Sequence, residues 1–171
     1  MTITEYQIEC RRTCPSLGDL KLDLAHMVLG LHSEYSELVD AEIDRNKVNV
    51  SEELADHMWY LANYCTFRDY QLENMILPAF DAYTLEYATS KLQDLVKKHV
   101  AYNKPIDDGL EFEALSSIYV SLLEIYEQAG IDMAQSLQNN IDKLKVRFPD
   151  GFSEEKANNR DLNSELDELK K

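Results

Sequence analysis

Two pairs of acids, Glu34 with Glu37 and Glu53 with Asp56, each stand three residues apart in consecutive segments of helical pattern. In the first segment Leu20, Leu24, Met27, Val28, Leu31, Tyr35 and Leu38 recur on one helical face. Glu34 falls at the edge of that stripe, and Glu37 lies one turn further on and slightly outward. In the second segment Leu54, Met58, Leu61 and Cys65 share a face, widened by Ala55, Trp59 and Ala62. Asp56 falls between Trp59 and Tyr60 on the helical wheel. Carboxylates at this spacing repel one another, and a place beside a core stripe strips them of water. A cation between them removes both costs. Four hard oxygen donors suit Mg²⁺, with Mn²⁺ possible. Each pair alone also fits a solvated helix edge, or acids drawn to a helix N-terminus in the case of Glu52 and Glu53.

The elements that must position these acids are helices. Gly and Pro are scarce, 5 and 4 in 171 residues, and no segment alternates with a strand's period of two. The pattern predicts a short first helix over 3–13, broken by Pro15 and Gly18, and a long helix from Asp19 to about Arg45. Asn46–Val50 reads as a turn, with Ser51 capping a helix that runs to about Phe67. Residues 68–79 are ambiguous, and Pro78 interrupts any continuous helix there. Further helices are expected over Phe80–Tyr102, about 110–129 with Gly130 at the C-terminus, and from the Asp132 cap to about Phe148. Ser153 then opens a short acidic tail helix. The expectation is an all-α helical bundle with antiparallel helix pairs in one domain, residues 1–171. Its core covers about 15–148, and 149–171 form a C-terminal turn and tail. The short connection between the two acid-bearing helices brings the four carboxylates face to face.

Composition excludes several functions. The chain carries 32 Asp+Glu against 17 Lys+Arg, a net charge of −15. Such a surface repels nucleic acid and anionic membranes. No apolar run approaches the roughly 18 residues that span a bilayer, and MTITEYQIECRRT lacks the apolar stretch of a signal peptide. Cys10, Cys14 and Cys65 fit reduced thiols in a cytoplasmic protein. His26, His32, His57 and His99 form no paired Glu-x-x-His pattern, against a di-iron bundle. No Ser/His/Asp or Cys/His nucleophile set is visible. The five glycines are nowhere closer than 12 residues, so there is no Gly-rich phosphate loop. Gly30, inside a helix, implies close helix approach or room for a ligand. Trp59, the single tryptophan, fits core packing or a surface for a base.

The order Glu34-x-x-Glu37 and Glu53-x-x-Asp56 resembles the ExxE…ExxD signature of the all-α nucleoside triphosphate pyrophosphatases, the MazG-like superfamily. Residues 29–38 and 52–61 are similar to that family's two metal-binding helices. Residues 139–153, with Asn140, Lys143 and Arg147, are similar to its C-terminal Asn/Lys/Arg helix and following turn. Ala157–Asp161 and Lys97–Asp107 extend the likeness, which covers about 15–160. The resemblance implies Mg²⁺-dependent hydrolysis of a nucleoside triphosphate to monophosphate and pyrophosphate, in a homodimer or dimer of dimers. It implies metal binding and catalysis by Glu34, Glu37, Glu53 and Asp56. Asn140, Lys143 and Arg147 then bind substrate, the last two sharing one helical face, with Lys156 and Arg160 as further candidates. The alternative is a catalytically silent helical scaffold that keeps the fold and binds nucleotide or metal.

Overall fold

The computed structural model describes residues 1–76, 82–159 and 161–169. Pro78, Phe80 and Arg160, singled out above, lie outside them. The described residues form helices and no strand: α1 Ile3–Arg11, α2 Leu20–Ile43, α3 Lys47–Phe67, α4 Leu85–Tyr102, α5 Asp108–Ala129, α6 Met133–Arg147, α7 Glu154–Asn158 and α8 Leu162–Leu169, with a 3-10 turn at Leu72–Asn74.

Helix starts follow the side chains available to accept orphan N–H groups. Asp19, Thr84, Asp107, Asp132 and Ser153 each cap the helix that follows, and Thr2 and Glu5 form a reciprocal capping box on α1. The start of α3 differs from the expectation. Asn46, not Ser51, is the cap, accepting from the Asn49 N–H, so the helix begins one turn earlier. Ser51 sits inside α3, and its hydroxyl donates to Ser136 Oγ at 3.0 Å. Gly130 closes α5 in the left-handed region at φ 59°, as its position implied. The tail forms two short helices rather than one.

α2 and α3 make the most extensive pair, folded back on each other through Asp44–Asn46. α4 packs on α2 and pairs with α5. α1 and α6 lie against α3, and α8 lies along α6. One apolar cluster runs through the helices, and Tyr6 and Cys10 of α1 belong to it with Leu24, Leu31, Leu54, Met58, Leu115 and Leu144. Burial of such side chains, about 1.5–3 kcal/mol each, is what holds the helices in register. The end of α3 is tied to α5 by Glu111. This buried carboxylate takes a two-pronged contact from Arg68 and the hydroxyls of Tyr64 and Tyr70, at 2.5 and 3.0 Å. His57 is wholly buried with neither ring nitrogen hydrogen-bonded to a described residue, and burial lowers it to about 3, so it is held neutral.

Candidate metal centre and pocket

The acid-bearing faces of α2 and α3 meet as expected. One oxygen each of Glu34, Glu37 and Glu53 lie within 4.8 Å of one another. Hard cations take carboxylate oxygens at about 2.0–2.6 Å, so ligands on opposite sides of one stand about 4–5 Å apart, the spread seen here. Glu34 is 9% exposed, Glu53 half-buried and Glu37 exposed. Burial, then the charges of Asp56, Glu37 and Glu53, push Glu34 up to about 9. Burial, then Asp56, Glu52 and Glu37, push Glu53 up to about 7. Three carboxylates this close, with no ion pair to any of them among the described residues, are a fitting cage for a divalent cation.

Asp56 stands apart from that trio because its oxygens are already engaged. Asn140 Nδ2 donates to Asp56 Oδ1 at 2.5 Å, and Lys143 Nζ donates to Oδ2 at 2.6 Å. Lys143 also reaches Glu52 Oε1 at 3.2 Å. The lysine is only 1% exposed. Burial alone would lower it, but Asp56 and Glu52 outweigh that and leave it raised and charged. Asn140 is oriented in turn by Tyr6, whose hydroxyl contacts Asn140 Oδ1 at 2.9 Å and the Ala55 carbonyl at 2.8 Å. The structure thus brings Asn140 and Lys143 to the carboxylates as supports of Asp56. Arg147 lines the pocket, and its guanidinium makes a two-pronged ion pair with Glu165 of α8, Nε to Oε1 at 2.9 Å and Nη2 to Oε2. Lys156, on α7, is not among the residues lining the pocket.

The carboxylates open onto a pocket of about 370 Å³. Glu34, Glu37, Glu52, Glu53, Asp56 and Arg147 form its charged side, and His26, Trp59, Tyr60, Phe148 and Phe152 much of the remainder. Gly30 explains how Tyr60 gets there. A Cβ on Gly30 would stand 2.1 Å from Tyr60 Cε1, so the ring lies directly on the α2 backbone between His26 and Glu34. Trp59 donates its indole N–H to Thr13 Oγ1 at 3.1 Å, which fixes the ring at the pocket wall.

Sequence reasoning missed Tyr6, His26, Glu52 and Glu165 as parts of this site. His26 carried a signal, since it lies two helical turns before Glu34 on the same face. Tyr6 and Glu165 carried none, because their contacts join helices far apart in the chain. Compared with protein-family models, with curated proteins and with solved structures, the chain finds no match.

Proposed function

We propose that the chain is a divalent-metal-dependent nucleoside triphosphate pyrophosphohydrolase, cutting between the α and β phosphates. The observation that carries this reading is the Glu34/Glu37/Glu53 trio opening onto a pocket also lined by Trp59, Tyr60, Phe148 and Phe152. A bound cation would supply charge neutralisation at the phosphates and an acidified water. The protein's own groups do the positioning. Glu34, Glu37 and Glu53 hold the cation, while Lys143 and Asn140 fix the Asp56 carboxylate beside them. Arg147 lines the same pocket, and a planar guanidinium suits the outer phosphates. Water adds to the α phosphorus, the α–β bridging bond breaks, and pyrophosphate departs. The walls of Trp59, Tyr60 and Phe148 limit bulk water around the reacting centre.

A second reading, nucleotide binding without turnover, is favoured by one observation: Lys143 and Arg147 are both engaged by the protein's own carboxylates. One experiment separates the two. Ribo- and deoxyribonucleoside triphosphates are incubated with the protein and Mg²⁺ or Mn²⁺, and products are followed by phosphorus NMR. Monophosphate and pyrophosphate are expected, with turnover lost in Glu37→Gln and Glu53→Gln at unchanged helix content. Diphosphate and free phosphate as first products would reject the mechanism. Binding without turnover would establish the second reading.

A further inference from the structure

The pocket lining is of two chemical kinds, and only one is explained by metal and phosphate. Beside the carboxylates the lining includes His26, Pro15, Trp59, Tyr60, Phe148 and Phe152. Anionic groups gain nothing from aromatic faces, and a flat ring gains nothing from a carboxylate cage. The pocket is therefore shaped for a ligand with a charged end and a planar, weakly polar end.

The aromatic lining is built as a corner. Tyr60 stands at 88° to Trp59 with centroids 4.9 Å apart, and His26 stands at 83° to Tyr60 at 5.9 Å. Phe152, 37% exposed, leans on Phe148 at 5.5 Å and reaches the same pocket from the turn after α6. Mutually perpendicular rings let a planar ligand stack on one face and meet the edge of the next. The polar groups of this lining differ in what they have left to offer. Thr13 Oγ1 accepts from Trp59 and donates to the Cys10 carbonyl at 3.3 Å. His26 makes no hydrogen bond to any described residue, and its Nδ1 is buried without a partner. Nδ1 is closed off from the pocket, and Nε2 is the ring nitrogen left for a ligand to pair. Burial also lowers His26, more than Asp23 raises it, so the ring is neutral at physiological pH. A neutral imidazole offers one donor and one acceptor.

We propose that this aromatic lining is a nucleobase subsite and that His26 reads the hydrogen-bonding edge of the base, making it a specificity-determining residue. The proposal rests on the nucleoside triphosphate reading above and adds to it how bases are told apart. Phe152 and Tyr60 supply stacking, which every base accepts. His26 supplies discrimination, because a base that leaves its ring nitrogen unpaired binds more weakly by about tenfold.

Trp59 is the single tryptophan of the chain and lines the pocket, so its fluorescence reports occupancy directly. The test titrates the full chain, with Mg²⁺, using α,β-methylene nucleoside triphosphates of several bases and, in parallel, inorganic tripolyphosphate. Nucleotides are expected to quench Trp59 and to bind at least tenfold tighter than tripolyphosphate, with about a tenfold spread among bases. His26→Ala should compress that spread to within about threefold and leave tripolyphosphate affinity unchanged. His26→Gln, which restores a donor and an acceptor, should recover part of it. Equal affinity for nucleotides and tripolyphosphate would overturn the subsite while leaving the phosphate and metal reading intact. A full spread retained in His26→Ala would overturn the role of His26. No binding of either ligand class would remove the functional reading and this proposal with it.

Discussion

Glu34 is raised from the ordinary glutamate value of 4.5 to about 9, and Glu53 to about 7. Both hold a proton more tightly folded than unfolded. Their contribution to stability is complete below about pH 4.5 and is lost as pH rises, through about 7 for Glu53 and about 9 for Glu34. The metal-free protein should therefore lose thermal stability between pH 6 and 9. Glu34→Gln should flatten that decline, since an amide carries no charge to desolvate. Metal responds oppositely. A cation must displace these protons, so Mg²⁺ affinity should rise by up to about tenfold per pH unit for each proton released between pH 6 and 8. Calorimetry in buffers of different ionisation enthalpy counts those protons. A flat affinity across this range would mean the trio is not the metal site. Glu34, Glu37, Glu53 and Asp56 were legible in the sequence because helical spacing put acids beside apolar stripes. The split between three open carboxylates and one engaged carboxylate was not. Spacing shows that Lys143 and Arg147 share a face; it does not show that Lys143 turns inward to Asp56 while Arg147 meets Glu165.

Helix existence and order followed from apolar periodicity and the sparse breakers, and the cap at Asn46 did not. Asn46 and Ser51 are both good caps, and the choice fell to tertiary contact, because Ser51 is needed inside α3 to meet Ser136 of α6. Gly30 shows the same competition between local and distant terms. Alanine would raise helix propensity by about 1 kcal/mol. Its Cβ would also overlap the Tyr60 ring, and overpacking costs about 1–3 kcal/mol. Gly30→Ala should thus destabilise the protein in chemical denaturation. In a Tyr60→Ala background the same change should become neutral or stabilising, and a cost that persisted there would place the conflict elsewhere. Among the described residues α8 is tied to the pocket through Glu165 on Arg147, and the glutamate is 2% exposed. Glu165→Gln should loosen α8, read as faster limited proteolysis after residue 149. It should also raise tripolyphosphate affinity several-fold, because the guanidinium is no longer neutralised. Unchanged affinity would show that Arg147 does not face the phosphates.

At the scale of the whole molecule, the all-α bundle was legible because 171 residues with nine Gly and Pro leave few places for turns. The described residues contain no helix long and apolar enough to cross a membrane. Between α2 and α4 runs an apolar groove of about 220 Å³ lined by Ala25, Val28, Leu29, Val96, Val100 and Ala101. Leu29 is 62% exposed there, an unusual place for a leucine on a helix that packs on two neighbours. In the expected homo-oligomer a second copy would cover this face. Light scattering at micromolar concentration should give at least twice the mass of one chain, and Leu29→Glu should lower it. A monomer in the unmodified protein would refute the expectation.

The Tyr6–Asn140 contact joins residues 134 positions apart, so it can form only after α6 has been made. As the chain leaves the ribosome, α2 and α3 can pair long before α6 exists. Until Lys143 is made, Asp56 and Glu52 have no lysine, and the acids of the first hairpin face each other unshielded. Pairing of α2 and α3 ahead of α6 would bring those acids together before Lys143 offsets Asp56 and Glu52. A divalent cation held by Glu34, Glu37 and Glu53, as proposed, would offset part of the crowding of acids before α6 arrives. Refolding from denaturant should accordingly be faster with Mg²⁺ present from the start than with Mg²⁺ added after collapse.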